Sequence, residues 1–381
     1  MLDFLKAKFV CSLVFFALIL PVVANAAVLP QERADVMYHK YSGDGVSIDG
    51  PSILLRKQVG EQVSLSANYY VDTVSGASID VRATASPYQE ERKETTLGGD
   101  FLHDKTLLSV SYTNSSENDF EANSVYVGLS QDFFGDLSTV SLSWSKGWDE
   151  VGRRGDDNFQ EEADRQKFGF GFTQIMTKNL IMGFSAEHIS DEGFLNNPYR
   201  SIRFADSTSE RGFRFSSEQY PNTRSSNAYS LNANYYLPYR AALYADARIY
   251  DDSWGIKAHN YKLGYIHPVN AWVFDVFVRH YSQEKADFYQ DLFSRPNEFN
   301  FMARDKELST YTGITAGLHL AYEWQFSQTA TFKKSSLHAE FDYMRFDYDN
   351  FRDVTADAAV GQEPLFSFSA NVIKIYASVW Y

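Results

Sequence analysis

Apolar and polar residues alternate along long stretches of the chain. In three stretches nearly every second residue is apolar or aromatic, and the residues between them are mostly small, polar or charged. The apolar sets are Val140, Leu142, Trp144 and Trp148; Tyr229, Leu231, Ala233, Tyr235 and Leu237; and Ile314, Ala316, Leu318, Leu320, Tyr322 and Trp324. Because successive side chains of a β-strand point to opposite faces, this pattern predicts strands with one apolar and one polar face.

Two features favour a membrane-spanning barrel over a soluble β-sandwich, which would show the same alternation. The alternating stretches run for about 10 to 13 residues, whereas strands of soluble proteins usually have about five or six. The connections are alternately short and long, as in outer-membrane barrels. We therefore predict an all-β fold, a transmembrane antiparallel β-barrel with short periplasmic turns and longer extracellular loops.

The phase of the connections predicts the number of strands. Short connections fall near Gly60, 103–104, 135–136, 178–179, 238–239 and 268–269, with a longer one at about 327–335. The opposite set includes 74–90, 149–164, 191–224, 283–307 and 349–365, with 116–120 and 252–254 short but in phase. The segment 46–59 then needs a partner upstream, and 35–41 is the candidate. The count is about 16 strands, with 14 as the alternative, and both termini are expected on the periplasmic side.

Aromatic residues near strand ends support the barrel. Amphipathic rings collect at the two membrane interfaces. We assign four tryptophans to this aromatic girdle: Trp148, Trp272, Trp324 and Trp380. The last strand alternates up to the terminal Tyr381, an ending similar to the C-terminal signal that the barrel-assembly machinery reads in bacterial outer-membrane proteins.

The N-terminal residues have the layout of a secretory signal peptide. Two lysines precede an apolar run at 9–20, and an A-x-A cleavage pattern follows at 24–26. The run is shorter than the roughly 18 residues that a membrane anchor needs. We therefore predict a signal peptide at 1–26 and a single barrel domain at 27–381 in the bacterial outer membrane.

Composition narrows the functional classes. The chain has 35 Lys and Arg residues against 49 Asp and Glu residues, a formal net charge of −14. This balance argues against a nucleic-acid partner, because phosphate contacts need clustered basic side chains. Cys11 is the only cysteine, which excludes a disulfide scaffold and a cysteine-ligated metal site.

Several short stretches resemble a bacterial family of outer-membrane β-barrels that is catalogued only as a domain of unknown function. They are YSGDGVSIDGP (41–51), SANYYVD (66–72), ASID (77–80), SPYQEER (86–92), QDFFGD (131–136), GWDEVG (147–152) and NPYRSIR (197–203). The resemblance implies the compartment and the fold, without an assigned activity. It also implies, through the small lipoproteins and thioredoxin-like proteins that accompany such barrels, a periplasmic or lipoprotein partner in an envelope redox system.

If the apolar face meets lipid, the alternate polar positions line the lumen. We assign twelve residues to the lumen: Asp72, Glu94, Asp246, Arg248, Lys262, Asp275, Arg279, His319, Glu323, His338, Glu340 and Asp342. Charges inside a barrel are costly unless they are hydrated or paired. Two interpretations stay open: a diffusion pore whose charged rings set selectivity, and a filled barrel held rigid by ion pairs.

The longest loop, 191–227, combines arginines with aromatic residues. Residues 203–204 and 213–215 are spaced to pair as a hairpin around 206–212. A long loop of this composition is typical of a functional segment rather than a disordered one. Its arginines are candidates for constricting the lumen or binding an anionic group, and the alternative is an external hairpin that touches lipopolysaccharide phosphates. They are Arg200, Arg203, Arg211 and Arg214.

Sequence motifs give no support for an enzyme, a cofactor or a metal. No G-x-S-x-G, Walker or dinucleotide-binding pattern occurs, and no H-x-x-x-H pair. Strand spacing could bring His319 and His338 together with two glutamates, although polar lumen residues are the simpler interpretation. The leading expectation is a porin-like channel or translocation conduit for a small solute. The alternatives are a plugged scaffold barrel and, third, a barrel enzyme. Expected partners are outer-membrane lipid, lipopolysaccharide and the barrel-assembly machinery.

Overall fold

In the computed structural model, which describes residues 28–76, 88–326 and 331–381, the chain forms a closed antiparallel β-barrel. The strands in these residues are β1 (Arg33–Gly43), β2 (Val46–Val59), β3 (Val63–Gly76), β4 (Tyr88–His103), β5 (Thr106–Ser116), β6 (Phe120–Phe133), β7 (Ser138–Gly152), β8 (Gln160–Thr177), β9 (Leu180–Gly193), β10 (Ser201–Ala205), β11 (Phe213–Ser217), β12 (Thr223–Tyr236), β13 (Ala242–Asp252), β14 (Lys257–Val269), β15 (Trp272–Gln283), β16 (Tyr311–Gln325), β17 (Lys334–Arg352) and β18 (Leu365–Trp380). Across the described ranges, no helix is both long and apolar enough to cross a membrane.

Sixteen strands follow one another in chain order around the barrel, and β10 and β11 form a separate hairpin between β9 and β12. The barrel closes where β1 pairs with β18 on one side and with β2 on the other. The prediction of a 16-stranded antiparallel barrel is therefore confirmed, and the 14-strand alternative is wrong. Closure leaves no free strand edge, which is the condition for a sheet to span a bilayer.

The apolar set of each strand faces outward. Leu318 on β16 lies between Val276 and Phe341 of the neighbouring strands, and these three side chains are 43 to 45% exposed. Leu142 and Leu231 are likewise about half exposed. An apolar outer surface of this kind is stable when membrane lipid, rather than water, surrounds the barrel.

The two ends of the barrel differ in the length of their connections. One end, the short-turn rim, carries the brief turns after β2, β4, β6, β8, β12 and β14, together with the start of β1 and the end of β18. The other end, the long-loop rim, carries the segments 194–222, 284–310 and 353–364. The turn after β1 also lies there and needs only two residues, Asp44 and Gly45, both with positive φ (51° and 74°), as in a type I′ hairpin turn.

The three long segments fold together into one unit, which we call the cap. Its apolar core joins Tyr220, Tyr289 and Leu308 of these segments to Trp254 of the β13–β14 turn and Phe351 of β17, each at most 7% exposed. A second cluster joins Ile202 of the hairpin to Phe293 and Met302 of the segment 284–310. The predicted signal peptide at 1–26, the middle of the loop 74–90 and part of the turn at 327–335 lie outside the described residues.

Candidate functional site

Strand register places all twelve residues assigned to the lumen on the inner face of the barrel. Paired residues share a face, and His319, for example, lies between Asp275 and Glu340, whereas its chain neighbour Leu318 faces outward. Asp246 pairs in the same way with Lys262, and Asp72 with Arg92. Most of these side chains are half-buried.

One group of inner-face side chains joins four strands, β13, β15, β16 and β17. The Nε2 atom of His319 lies 3.0 Å from Oδ1 of Asp342, and its Nδ1 atom lies 3.8 Å from Asp275. The Tyr244 hydroxyl donates to Asp275 at 2.8 Å. On the same wall, the ammonium of Lys262 sits 3.9 Å from the centre of the Phe277 ring. The charges of this wall are therefore largely compensated by their neighbours.

Several of the other assigned residues have nearby partners of their own. Arg248 and Lys167 both contact Glu187 at 2.5 Å. Glu323 pairs with Lys334 at 2.7 Å, and Glu340 with Lys374 at 3.6 Å. Arg279 donates to Thr315 at 3.2 Å. Glu94 follows Arg92 on β4, on the same face of that strand.

A buried group lies next to the strands that close the barrel. Asp72 accepts a hydrogen bond from Arg92 at 2.8 Å and lies 2.7 Å from Nε2 of His39. The His39 ring stacks on Tyr70 at a centroid distance of 4.8 Å. Because His39 belongs to β1, these contacts tie the first strand to β3 and β4 across β2.

The structure separates His319 from His338. His338 contacts the Ser336 hydroxyl at 2.8 Å and stacks on Tyr376 at a centroid distance of 4.1 Å. His319 instead contacts Asp342 and Asp275. A metal site shared by the two histidines is therefore not formed. In the described part of the chain, the group with metal-ligand spacing is instead Glu90, Glu117 and Asp119 at the long-loop rim, which the sequence did not single out.

On the opposite side of the interior, the middle of the wall is uncharged. On β5, β6 and β7 the inner-face residues in the middle of the strands form what we call the hydroxyl wall: Ser109, Ser111, Thr113, Ser124, Tyr126, Gly128, Ser130, Ser141, Ser143, Ser145 and Gly147. Beyond its two ends the same face carries Asp132 on β6 and Asp149 on β7. Tyr126 keeps 40% of its surface exposed, so the described residues do not pack over it. The sequence search for charged positions missed this wall, although the alternating serines were its visible signal.

The cap crosses the mouth of the barrel. From its root between β9 and β12, the segment 194–222 reaches the β5–β6 turn, where the Tyr199 hydroxyl donates to Asp119. The same segment reaches the β17–β18 loop, where Arg203 meets Glu363 at 2.5 Å. Lys306 of the segment 284–310 contacts Asp44 in the β1–β2 turn at 2.5 Å. Because these anchor points belong to distant strands of the ring, the cap spans the opening between them.

The predicted loop hairpin is present, and its arginines divide into two pairs. Arg203 pairs with Phe215, and Phe204 with Arg214. Arg203 is 0% exposed and forms ion pairs with Asp291 and Glu363 at 2.6 and 2.5 Å, while Arg200 is 4% exposed and lies 3.1 Å from Asp305. These two hold the cap together and do not line a constriction. Arg211 and Arg214 lie exposed near the tip.

Buried carboxyl groups in the cap have altered acidity. Burial, together with the charge of Asp305, raises the pKa of Glu218 to about 7. The Tyr220 hydroxyl and the Arg304 backbone N–H donate to this carboxyl group at 2.5 and 2.6 Å. Burial and Asp305 also raise the pKa of Glu307 to about 7. The cap therefore contains groups that change charge near neutral pH.

Three of the four girdle tryptophans face outward: Trp148, Trp272 and Trp324 are 39, 46 and 42% exposed. The prediction is wrong for Trp380. It pairs with Lys334, an inner-face residue bonded to Glu323, and the Lys334 ammonium lies 4.9 Å from the Trp380 ring. Position near a strand end does not fix the face, which follows parity along the strand. The Tyr381 hydroxyl donates to the Arg56 carbonyl at 2.8 Å.

A closed 16-stranded barrel with an apolar outer surface and a polar interior defines an outer-membrane β-barrel. Residues 79–362 match the family described as "Protein of unknown function (DUF3570)". The chain belongs to this family, as the sequence resemblance implied.

Solved structures share the barrel fold at very low sequence identity. A bacterial polysaccharide outer membrane secretin matches with a TM-score of 0.50 and 8% identity, over 92% of this chain and 99% of that chain. CdiB from Acinetobacter baumannii matches with a TM-score of 0.48 and 9% identity, over 91% of this chain and 60% of that chain. OccK2 from Pseudomonas aeruginosa, in complex with glucuronate, matches with a TM-score of 0.40 and 10% identity, over 92% of this chain and 98% of that chain. No curated protein sequence matches the chain. At these identities the likeness shows the fold alone.

Proposed function

We propose that this protein is a channel of the outer membrane that passes small polar solutes and whose mouth is restricted by the cap. The observation that carries this proposal is the polar interior whose side chains keep their exposure to solvent, as Tyr126 does. A 16-stranded barrel is wide enough to hold water. The solved structure with a similar barrel is named a bacterial polysaccharide outer membrane secretin, and a conduit agrees with that name.

In this proposal the long-loop rim is extracellular and both termini are periplasmic. The start of β1 and the end of β18 share the rim that carries the short turns, the arrangement of bacterial outer-membrane barrels. Arg211 and Arg214 at the hairpin tip would then face lipopolysaccharide phosphates. Tyr381 would be the residue that the barrel-assembly machinery reads, and a periplasmic or lipoprotein partner would meet the short-turn rim.

The proposal assigns no catalytic role to the interior. A serine does contact a histidine there, since Ser336 lies 2.8 Å from His338. The Ser336 side chain belongs to a residue that is only 1% exposed, which leaves no space for a substrate beside its hydroxyl. The plugged scaffold is the alternative, and it requires a filled lumen.

Single-channel conductance of the refolded full-length chain in a planar bilayer tests the proposal. We expect small steps from the wild type and larger or more frequent steps from Arg203→Met. This change leaves Glu363 buried without its cation and Asp291 with Arg304 alone, and it therefore loosens the cap. Arg214→Met is the matched control, since this exposed arginine of the same hairpin pairs only with Asp206 and Thr208 among the described residues.

The possible outcomes test the channel and the role of the cap separately. Equal steps from all three proteins would keep the channel and remove the role of the cap. Silence from the wild type, Arg203→Met and a deletion of 195–222, with heat-modifiable mobility showing a folded barrel, would contradict the channel and favour the scaffold.

A further inference from the structure

The hydroxyl wall is a continuous uncharged surface inside an otherwise charged barrel. It is three strands wide and extends from Ser124 to Ser130 along β6, so it measures about 14 Å by about 20 Å. Charged inner-face side chains surround it: Asp100 on β4 and Lys167 on β8 lie beside it, and Asp132 on β6 and Asp149 on β7 lie beyond its two ends. Between these charges, the side chains that the wall itself presents to a solute are neutral.

The charges on the two flanking strands are already compensated. Asp100 pairs with Arg56 at 2.6 Å, and Lys167 pairs with Glu187 at 2.5 Å. Across the ring, on β15 and β17, the aspartates of the opposite wall are bonded to Tyr244 and His319. Because a compensated pair offers little attraction to an ion, these pairs provide no strong reward for a charged solute.

Serine and threonine hydroxyls suit a different solute. Each hydroxyl both donates and accepts, so a neutral molecule with many hydroxyl groups can exchange its bonds with water for bonds with the wall at little cost. A surface without large side chains also lets such a molecule approach the backbone closely.

Tyr126 adds a flat apolar surface to the wall. Its ring lies over Gly128, where an added Cβ atom would collide with the Tyr126 hydroxyl. The glycine therefore allows the ring to lie along the strand, with 40% of the residue open to the interior. On the opposite wall the Phe277 ring lies over Gly317 in the same way, but the Lys262 ammonium covers it at 3.9 Å. Tyr126 is thus an uncovered platform on which the C–H face of a sugar ring can stack.

We propose that the hydroxyl wall binds neutral polyhydroxylated solutes, that is, sugars or short oligosaccharides, as they pass through the barrel. This inference rests on the proposed function for the passage, while binding to the wall is a separate property. None of the wall residues belongs to the charged residues that the sequence analysis assigned to the lumen or to the loop.

The test is saturation-transfer NMR of raffinose, a neutral trisaccharide, on the refolded full-length barrel, with polyethylene glycol of matched size as the comparison probe. The proposal predicts saturable raffinose binding and no such binding of the polymer, which has no hydroxyl groups along its chain. Tyr126→Ala should weaken raffinose binding about tenfold, which corresponds to about 1.4 kcal/mol. Tyr112→Ala is the matched control, because Tyr112 lies on β5 but faces outward with 42% exposure.

The result is independent of conductance, so the two proposals can fail separately. Raffinose binding that Tyr126→Ala weakens and Tyr112→Ala preserves supports the wall, and raffinose block of the channel current would then join it to passage. Binding without conductance in any variant keeps the wall and removes the channel. Conductance without saturable raffinose binding, or equal behaviour of raffinose and the polymer, overturns the wall and keeps the channel.

Discussion

Arg203 shows at the scale of a single residue what a buried charge requires in this protein. The side chain is 0% exposed, yet it has Asp291 at 2.6 Å, Glu363 at 2.5 Å and the Phe213 ring at 5.1 Å from its guanidinium carbon. Removing one partner of such a group typically costs about 3 to 5 kcal/mol, because the remaining charges stay buried without compensation. The arginine is therefore a structural anchor of the cap.

Glu218 predicts how the cap responds to pH. Its pKa is about 7 in the folded cap against an ordinary value of 4.5, so between these values the folded cap holds a proton that the unfolded loop has released. Cap stability should then fall as pH rises from about 4.5 to about 7 and level off above that. Glu307 acts in the same direction, with a smaller share because its side chain keeps 29% exposure.

Hydrogen exchange of cap peptides between pH 5 and 8, corrected for the chemical exchange rate, measures this dependence. Glu218→Gln should flatten it. Glu298→Gln should leave it intact, because a hydrogen bond from the Ser294 backbone N–H lowers the pKa of Glu298 out of this range. A wild-type cap whose protection is constant with pH would contradict the assignment.

At the scale of the strand, alternation decides which substitutions the barrel tolerates. Leu142 and Ser143 are neighbours on β7 that point to opposite faces: Leu142 is 52% exposed on the lipid side, and Ser143 belongs to the hydroxyl wall. Both positions pair with the same two strands, between Leu129 and Phe170 for the leucine and between Gly128 and Gly169 for the serine. The two sites therefore differ mainly in what surrounds the side chain.

Leu142→Arg should destabilise the barrel by about 2 to 4 kcal/mol near the bilayer midplane and by less toward the interface. Ser143→Arg should cost much less, because an arginine in the interior reaches water. Guanidinium unfolding of the barrel in lipid vesicles measures both variants. Equal losses would mean that the two faces are not lipid and water.

At the scale of the whole molecule, the contact of the first strand with the last closes the barrel. Val36 on β1 is the Cα partner of Ala377 on β18, and the His39–Asp72–Arg92 group anchors β1 from the inside. Every other barrel strand pairs with its neighbour in the chain order of the barrel, so this seam joins the most distant parts of the sequence.

A disulfide tests the register of the seam. In a Cys11→Ser background, Val36→Cys with Ala377→Cys should oxidise readily, because directly opposed residues lie within the Cα distance that a disulfide requires, about 4.4 to 6.8 Å. Val36→Cys with Ile373→Cys, displaced by four residues on the same face, should not. Non-reducing electrophoresis and intact mass give the readout, and equal crosslinking of both pairs would contradict the register.

The sequence by itself determined the class of fold, the strands and their faces. Alternation with period two is local, so β2 was predicted at 46–59 and is found at Val46–Val59, and the hairpin of Arg203 and Phe215 followed from spacing along a short segment. Trp380 is the exception. Its position near a strand end predicted a place in the outward-facing girdle, but its parity along β18 puts it on the inner face.

Only the tertiary structure decided what the polar positions do. Arg203 and Glu363 lie 160 residues apart in the chain, and no local pattern connects them. The same holds for the cap, which draws on three loops, and for the hydroxyl wall, which becomes a surface only when β5, β6 and β7 stand side by side. Charge and polarity can be read from a sequence, but compensation of a charge depends on partners that folding brings within about 3 Å.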